Sequence, residues 1–443
     1  MKKTHQFTLV LMLGLLLALV PIPDGGLAQP VSARTYPAGV QSPILDPFIN
    51  IWVDTVDNRE PAVAYNSNHD EYLVVWYNEQ DGGTLDIYAR RVRGDGTLLS
   101  SFLVVSDVGK DNWQPDVAYS PTQDEYLIVY TYEYDSNSND YDIWARLVKW
   151  DGSDLGAPRY VEFPINQDSD LQWNPAVAYN SQNNEYLVVY ENWWAGGLRD
   201  IAAQRVDKDG TAPGGPSGAN IATGAGGGRF SPDVAYNEAR NEYLIAYTFD
   251  VGSNGQTYGK VASANLGTLS SEIHICDDLY DQDYPAVAAG PDEYLVTWVD
   301  GTWGSNDCDI FARRVSGAGT PQGAAGGFEI AGSGDNNPHV FPAVAYGAGY
   351  GYLVACRRFN LDLGASGLDV YGRYVMRGQN EASGDEFAID NGSDFQDNPA
   401  IACAPSGDCL VVEEDHWPGP DYEIRGRFVR PYHIYVPLVS RNL

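Results

Sequence analysis

Positive charge is the scarcest commodity in this chain: 27 lysines and arginines stand against 60 aspartates and glutamates in 443 residues, a formal charge of −33. Nucleic acid and anionic lipid both require a basic patch, so the imbalance excludes them as partners. An acidic solvated shell is what remains, and it favours solubility. Sustained helical periodicity is missing beyond the first twenty or so residues, which excludes a helix-pair solenoid. Zinc spacing is also missing: there is no Cys-x-x-Cys, and His69, His274, His339, His416 and His433 are scattered. Nucleophile-elbow and phosphate-loop patterns do not occur. The turns at Gly94-Asp95-Gly96, Asp151-Gly152 and Asp207-Lys208-Asp209-Gly210 lack the closing glutamate of a calcium loop and read as hairpin turns. No metal or cofactor is expected.

Long hydrophobic runs are confined to Leu9–Val20, preceded by Lys2 and Lys3 and followed by small-residue cleavage positions at Ala28 and, at the latest, Ala33. This run is too short to span a membrane comfortably and has the layout of a secretory signal peptide. Residues 1–28 are therefore expected to be removed and the protein exported, without membrane insertion and as a monomer.

What the chain has in abundance is repetition. A proline opens a Pro-Ala-Val-Ala-Tyr-like run at Pro61, Pro115, Pro175, Pro232, Pro285, Pro342 and Pro399, spaced 53 to 60 residues apart. Such an array consists of similar supersecondary units that bury their faces on one another. In the first unit the run is followed by a polar turn, then Glu71-Tyr72-Leu73-Val74-Val75-Trp76, then Asp86-Ile87-Tyr88-Ala89-Arg90-Arg91-Val92, then Phe102-Leu103-Val104-Val105. β-Branched and aromatic runs between turn formers make four strands per unit. The expected fold is all-β: a seven-bladed β-propeller of four-stranded antiparallel blades over residues 45–430, with 431–443 as a tail. The small Ala62, Ala64, Ala176, Ala178, Ala286, Ala288, Ala343 and Ala345 suit innermost strands that converge. The fourth unit has Thr257-Tyr258-Gly259-Lys260 in place of Asp-Ile-Tyr-Ala-Arg and is expected to be looser.

The seventh unit ends on its third strand, so its fourth must come from elsewhere. Phe48–Asp54 lies at nearly the right offset before Pro61 to complete it; the rival is the tail segment Tyr432–Val436. Of the five cysteines, Cys403 and Cys409 occupy the facing positions of Tyr65 and Tyr72, which predicts a cross-strand disulfide. Cys276 and Cys308 form a second, less well placed pair, leaving Cys356 as a buried thiol. An acid opens the second strand (Glu71, Glu125, Glu185, Glu242, Glu293, Asp408) and a cation sits in the third (Arg90, Arg146, Lys260, Arg313, Arg373, Arg427), which reads as one structural ion pair per unit.

Function is expected on the face where the loops entering each first strand emerge, since those segments diverge most. Trp113, Trp173, Phe230 and Tyr284 beside Asn112, Gln172, Gln282 and Gln396 combine rings that stack on the C–H face of a sugar with amides that bond its hydroxyls. Trp193, Trp194, Trp303 and Trp417 add aromatics from other loops. The reading is a non-enzymatic binding propeller for carbohydrate or a surface protein. The alternative is a polysaccharide-cleaving hydrolase or lyase with Glu60, Asp283 and Asp397 as its carboxylates and His339 or Arg229 beside them.

The motifs at 71–76 and 86–92 resemble the repeats of exported bacterial β-propeller proteins, over nearly all of the chain after residue 45. Tyr435–Arg441 also resembles a short terminal signature of exported bacterial proteins. The resemblance implies the fold and the compartment and carries no catalytic residues with it.

Overall fold

The computed structural model describes residues 43–431 except 80–82, 107–108, 136–139, 154, 169, 194–196, 214–217, 225, 253, 277–279, 302–307, 333–336, 349, 361–366 and 417–420. The expected signal peptide, the tail segment Tyr432–Val436, Trp194, Trp303 and Trp417 lie outside the described residues.

Two short strands, β1 (Ile44–Leu45) and β2 (Ile49–Trp52), precede the repeats. Unit one holds β3 (Asn58–Asn66), β4 (Glu71–Glu79), β5 (Leu85–Arg93) and β6 (Leu98–Val105). Unit two holds β7 (Asn112–Ser120), β8 (Glu125–Asp135), β9 (Asp140–Lys149) and β10 (Glu162–Asn166). Unit three holds β11 (Leu171–Asn180), β12 (Glu185–Trp193), β13 (Arg199–Asp207) and β14 (Ala219–Ala222). Unit four holds β15 (Arg229–Asn237), β16 (Glu242–Val251), β17 (Asn254–Ser263) and β18 (Ile273–His274). Unit five holds β19 (Gln282–Gly290), β20 (Glu293–Asp300), β21 (Asp309–Ser316) and β22 (Phe328–Ala331). Unit six holds β23 (His339–Gly347), β24 (Gly351–Phe359), β25 (Leu368–Val375) and β26 (Ser383–Asp390), and unit seven β27 (Phe395–Cys403), β28 (Cys409–His416) and β29 (Glu423–Arg430).

Units one to five are each a four-stranded antiparallel sheet in chain order. Units six and seven share one nine-stranded sheet with β1 and β2, joined by a single parallel bridge, Leu368 to Phe395. This mixed sheet departs from the expected pattern, and the bridge sits where the two units approach at one end. Within it β2 pairs antiparallel with β29, Asn50 opposite Arg425, and β1 continues the pairing at Leu45 and Val429. Unit four is loose only at its outer edge: β16 and β17 pair from Glu242–Ser263 to Val251–Asn254, while β18 is two residues long.

The second strand of unit one is apolar on both faces along Tyr72–Trp76 because it lies inside its sheet and between two neighbouring units. Leu73 and Val75 with Ile87 meet Tyr126, Ile128 and Tyr130 of unit two, and all are essentially fully buried. On the other face Tyr72, Val74 and Trp76 meet Leu410, Val412 and Phe428 of unit seven, with Ile51 of β2 among them. Burial of each such side chain contributes about 1.5–3 kcal/mol.

The third-strand cation does not form the expected ion pair. Arg90, Lys260, Arg313, Arg373 and Arg427 instead donate to a main-chain carbonyl of a neighbouring outer strand: Ile51 (2.7 Å), Ile221 (2.9 Å), Ile275 (2.6 Å), Ile330 (2.7 Å) and Ile389 (2.6 Å) respectively. Arg146 does the same to Val104. A carbonyl at a sheet edge lacks a ladder partner, and a guanidinium or ammonium supplies one with charge assistance. The opening glutamate pairs one residue further on: Arg91 with Glu71 (2.8 Å), Arg205 with Glu185 and Arg314 with Glu293.

Cys403 and Cys409 form a disulfide, each the register partner of the other. The expected Cys276–Cys308 bridge is not formed. Cys276 packs with Ile275 and Trp298 on one side of the unit-five sheet, Cys308 with Ile310 and Cys356 on the other, so the sheet itself separates them.

Candidate functional site

The residue before each repeat proline is where the first strand breaks its register. Ladder pairing shifts between Arg59 and Ala62, Trp113 and Asp116, Trp173 and Ala176, and at the equivalent place in all seven units. Proline disfavours the right-handed helical region for its predecessor, and here Glu60, Gln114, Asn174, Ser231, Tyr284, Phe341 and Asn398 all take positive φ, from 44° to 52°. A left-handed non-glycine residue costs about 1–3 kcal/mol and persists only where its surroundings fix it. These seven residues and their prolines line one funnel with a cavity volume of about 390 Å³.

What fixes them is a belt of hydrogen bonds from unit to unit. The Glu60 main-chain N–H donates to Glu414 Oε1 (2.8 Å), that of Gln114 to Glu60 Oε2 (3.1 Å), that of Asn174 to Gln114 Oε1 (3.1 Å) and that of Ser231 to Glu191 Oε1 (2.8 Å). Asn398 Nδ2 and Asn174 Nδ2 donate to Glu414 and Glu191, each at 2.6 Å. At units five and six the same positions present rings instead, Tyr284 edge to face with Phe341 at 5.1 Å. The funnel wall is therefore polar on one side and aromatic on the other.

Burial, only partly offset by hydrogen bonds, pushes the Glu60 carboxyl up to about 7. Desolvation holds Glu414 well above the usual carboxylate range, the charge of Asp397 adding to it. Asp116 and Asp233, which stand where other units have alanine, reach about 6 and about 7 by burial, although each accepts main-chain bonds from its own unit and the next. Those inter-unit bonds are Val177 N–H to Asp116 and Val287 N–H to Asp233, both 2.7 Å.

Around the rim of units two to four runs an arc of aromatic side chains. Trp113 meets Tyr141 edge-on at 5.0 Å, Tyr141 stacks on Trp173 at 6.2 Å, and Trp173 tilts against Trp193 at 5.3 Å. The Arg199 guanidinium continues it, 5.2 Å above Trp193 and 4.8 Å above Phe230. Glu191, 1% exposed, anchors the arc from below: it accepts Trp173 Nε1 at 3.0 Å and lies 3.6 Å from Arg199.

The structure thus divides the residues expected from sequence. Trp173 and Phe230 are half-buried on the arc, Trp113 is only 8% exposed beneath it, and Tyr284 faces the funnel. Asn112, Gln172, Gln282 and Gln396 are completely buried; Gln172 bonds Asn192 at 3.1 Å and Gln396 bonds Asp415 at 3.1 Å, so their amides serve the sheets and do not face the funnel. One residue earlier in register than the arc, a strand side chain points the other way. Arg229 and His339 share that inward register, 4% and 0% exposed, with Arg229 on Glu272 at 2.9 Å and His339 3.3 Å from Glu386, so neither reaches the mouth. Of the three carboxylates, Glu60 lines the funnel, Asp397 is held by Arg357 at 2.7 Å, and burial beside Asp281 raises Asp283 to about 7. Gln114 and Asn174 belong to the segments approaching each proline that were expected to ring the mouth, and they line the funnel; Tyr141, Glu191 and Arg199 were not singled out from sequence. Glu191 alone carried a signal there, as a carboxylate continuing an apolar strand.

No protein-family profile and no curated protein sequence matches the chain. Solved structures do. A protein of unknown function from Dyadobacter fermentans superposes with a TM-score of 0.52 at 10% identity, covering 89% of this chain and 100% of that one. The β-propeller domain of the Trilobed protease from Pyrococcus furiosus gives a TM-score of 0.45 at 9% identity over 84% of this chain and 95% of that domain. A Trypanosoma rangeli sialidase gives 0.42 at 9% identity over 84% of this chain, which spans 55% of the sialidase. The described residues are all-β, with five four-stranded antiparallel sheets beside the nine-stranded one, and the structural neighbours include a β-propeller domain.

Proposed function

We propose that the chain is an exported seven-bladed β-propeller, closed by β2 in the last blade, that binds carbohydrate through the rim without cleaving it. Closure is supported from both sides of the last unit. Arg90 clasps the Ile51 carbonyl of β2 as the other third-strand cations clasp a carbonyl at the outer edge of a preceding unit, and Arg427 Nε donates to the Asp46 carbonyl (2.7 Å) as Arg373 Nε donates to that of Gly384 (3.1 Å) in its own unit. The Glu60 N–H to Glu414 bond continues the belt across the same junction. Export is supported by the Cys403–Cys409 disulfide, a bond that persists in oxidising compartments.

The observation that carries the binding function is the arc of half-buried rings, Tyr141, Trp173, Trp193 and Phe230, on a rim that also carries the Arg199 guanidinium. Sugar rings need both an apolar face to stack on and bonding groups at their edge. A second reading, a polysaccharide-cleaving enzyme, is favoured by one observation: Glu60 faces the funnel with a carboxyl raised to about 7, suited to a general acid. A glycan array with a reducing-sugar assay on the same purified protein tests both. Binding without turnover, weakened about tenfold in Trp173→Ala, is the expected result. Turnover abolished in Glu60→Gln establishes the second reading, and a panel of glycans that all fail to bind rejects the first.

A further inference from the structure

Two features of the rim decide what kind of sugar it suits. The funnel is lined by polar side chains that are already committed to one another. Gln114 Oε1 accepts the Asn174 N–H and the Thr131 hydroxyl, Asn174 Nδ2 donates to Glu191, and Glu60 Oε2 accepts the Gln114 N–H. A single sugar held there would have to displace bonds that hold the left-handed residues Gln114 and Asn174 in place. The arc outside it is not part of that network: Tyr141, Trp173, Trp193 and Phe230 are all half-buried and come from three consecutive units, Tyr141, Trp173 and Trp193 follow one another at 6.2 and 5.3 Å, and the Arg199 guanidinium bridges Trp193 and Phe230.

Charge is the second feature. The cation of the arc, Arg199, lies 3.6 Å from Glu191 and is compensated by it, and elsewhere on the rim Arg357 is paired with Asp397 at 2.7 Å and Arg59 with Asp57 at 3.1 Å. An anionic sugar would approach a chain of formal charge −33 and gain no uncompensated cation from these pairs.

We propose that the ligand is an uncharged polysaccharide chain lying across the rim of units two to four, along Tyr141, Trp173, Trp193 and Phe230, with successive sugars on successive rings. The proposal rests on the carbohydrate reading above and adds to it the form and charge of the ligand. It makes Tyr141 and Trp193 specificity residues for chain length, since they continue the platform from Trp173.

The test is calorimetric titration with xylo-, manno- and cello-oligosaccharides from monosaccharide to hexasaccharide and with an oligogalacturonide ladder, at low and high salt, with circular dichroism confirming that each variant is folded. In one neutral ladder affinity should rise with length and be indifferent to salt, and Tyr141→Ala and Trp193→Ala should each cost about fivefold for the hexasaccharide and nothing for the monosaccharide. Equal affinity for monosaccharide and hexasaccharide, lost in Gln114→Leu and untouched by Trp193→Ala, overturns the chain proposal and leaves carbohydrate binding standing. A salt-sensitive preference for the galacturonides overturns it as well. Silence across all ladders, together with a blank glycan array, removes both readings.

Discussion

Units one and seven share a strand frame and contain opposite chemistry. In unit one, Trp76 of the second strand stacks on Tyr88 of the third at 6.3 Å, with Trp52 of β2 tilted against both at 5.5 and 5.7 Å. In unit seven the register partners at the same places are Glu413 and Arg425, with Asp390 and Asp415 buried beside them. Arg425 is ion-paired with Asp415 at 2.8 Å and with Asp390 at 3.3 Å, while no hydrogen-bond donor among the described residues reaches either oxygen of Glu413. Burial and the neighbouring Asp390 push the Glu413 carboxyl well above its ordinary range. The frame survives this exchange because the ladder, the interlocking apolar neighbours and the clasp from a third-strand cation to a neighbouring carbonyl do not depend on the residue at that position.

The comparison can be broken most forcefully at Trp76, a fully buried side chain whose replacement by alanine should cost about 3–5 kcal/mol in denaturant unfolding. Glu413→Gln should behave oppositely. A carboxyl raised on folding contributes fully below its unfolded pKa and loses that contribution as pH rises towards the folded value. The amide should therefore match the parent at pH 4 and exceed it at pH 8; a loss comparable with that of Trp76→Ala at pH 8 would show that the ionised form is needed.

Next in size, Arg90→Met should cost about 2 kcal/mol by orphaning the Ile51 carbonyl, and amide exchange should quicken over residues 49–52. Unchanged exchange there would mean that β2 is held by β29 alone. Reducing the Cys403–Cys409 bridge, which closes a short loop, should lower stability by about 2 kcal/mol in the same assay. A pH-dependent effect concerns Asp116 and Asp233, raised to about 6 and about 7. Stability should decline between pH 4 and 7 as their burial comes to oppose ionisation, and the double change to asparagine should flatten the decline measured by thermal melts. A profile of the same slope in the double variant would assign the decline to general acidic repulsion.

The strand order of each unit was legible because a period of two, turn chemistry and seven prolines all agree on it. The rim was legible only in part. Trp173 and Phe230 could be placed by their offset from proline, but Asn112 and Gln172, one residue earlier, look equally suited to a ligand in sequence and are turned inward by the alternation of a strand. Arg90 and Arg91 are neighbours with the same charge, and nothing in the string says that the first spans units while the second pairs within one. The arc was least legible: Trp193 could be named from the sequence, but Tyr141 and Arg199 come from other strands and join it through tertiary packing alone.

The pairing of β2 with β29 sets a condition on biogenesis. Arg427 bonds Asp46 across 381 positions, among the most distant partners the chain has. Loop closure over such a span is entropically demanding and slow. β2 must therefore remain unmated until β29 has been synthesised, so a chain cut short before residue 423 would leave the β2 edge open to neighbouring molecules.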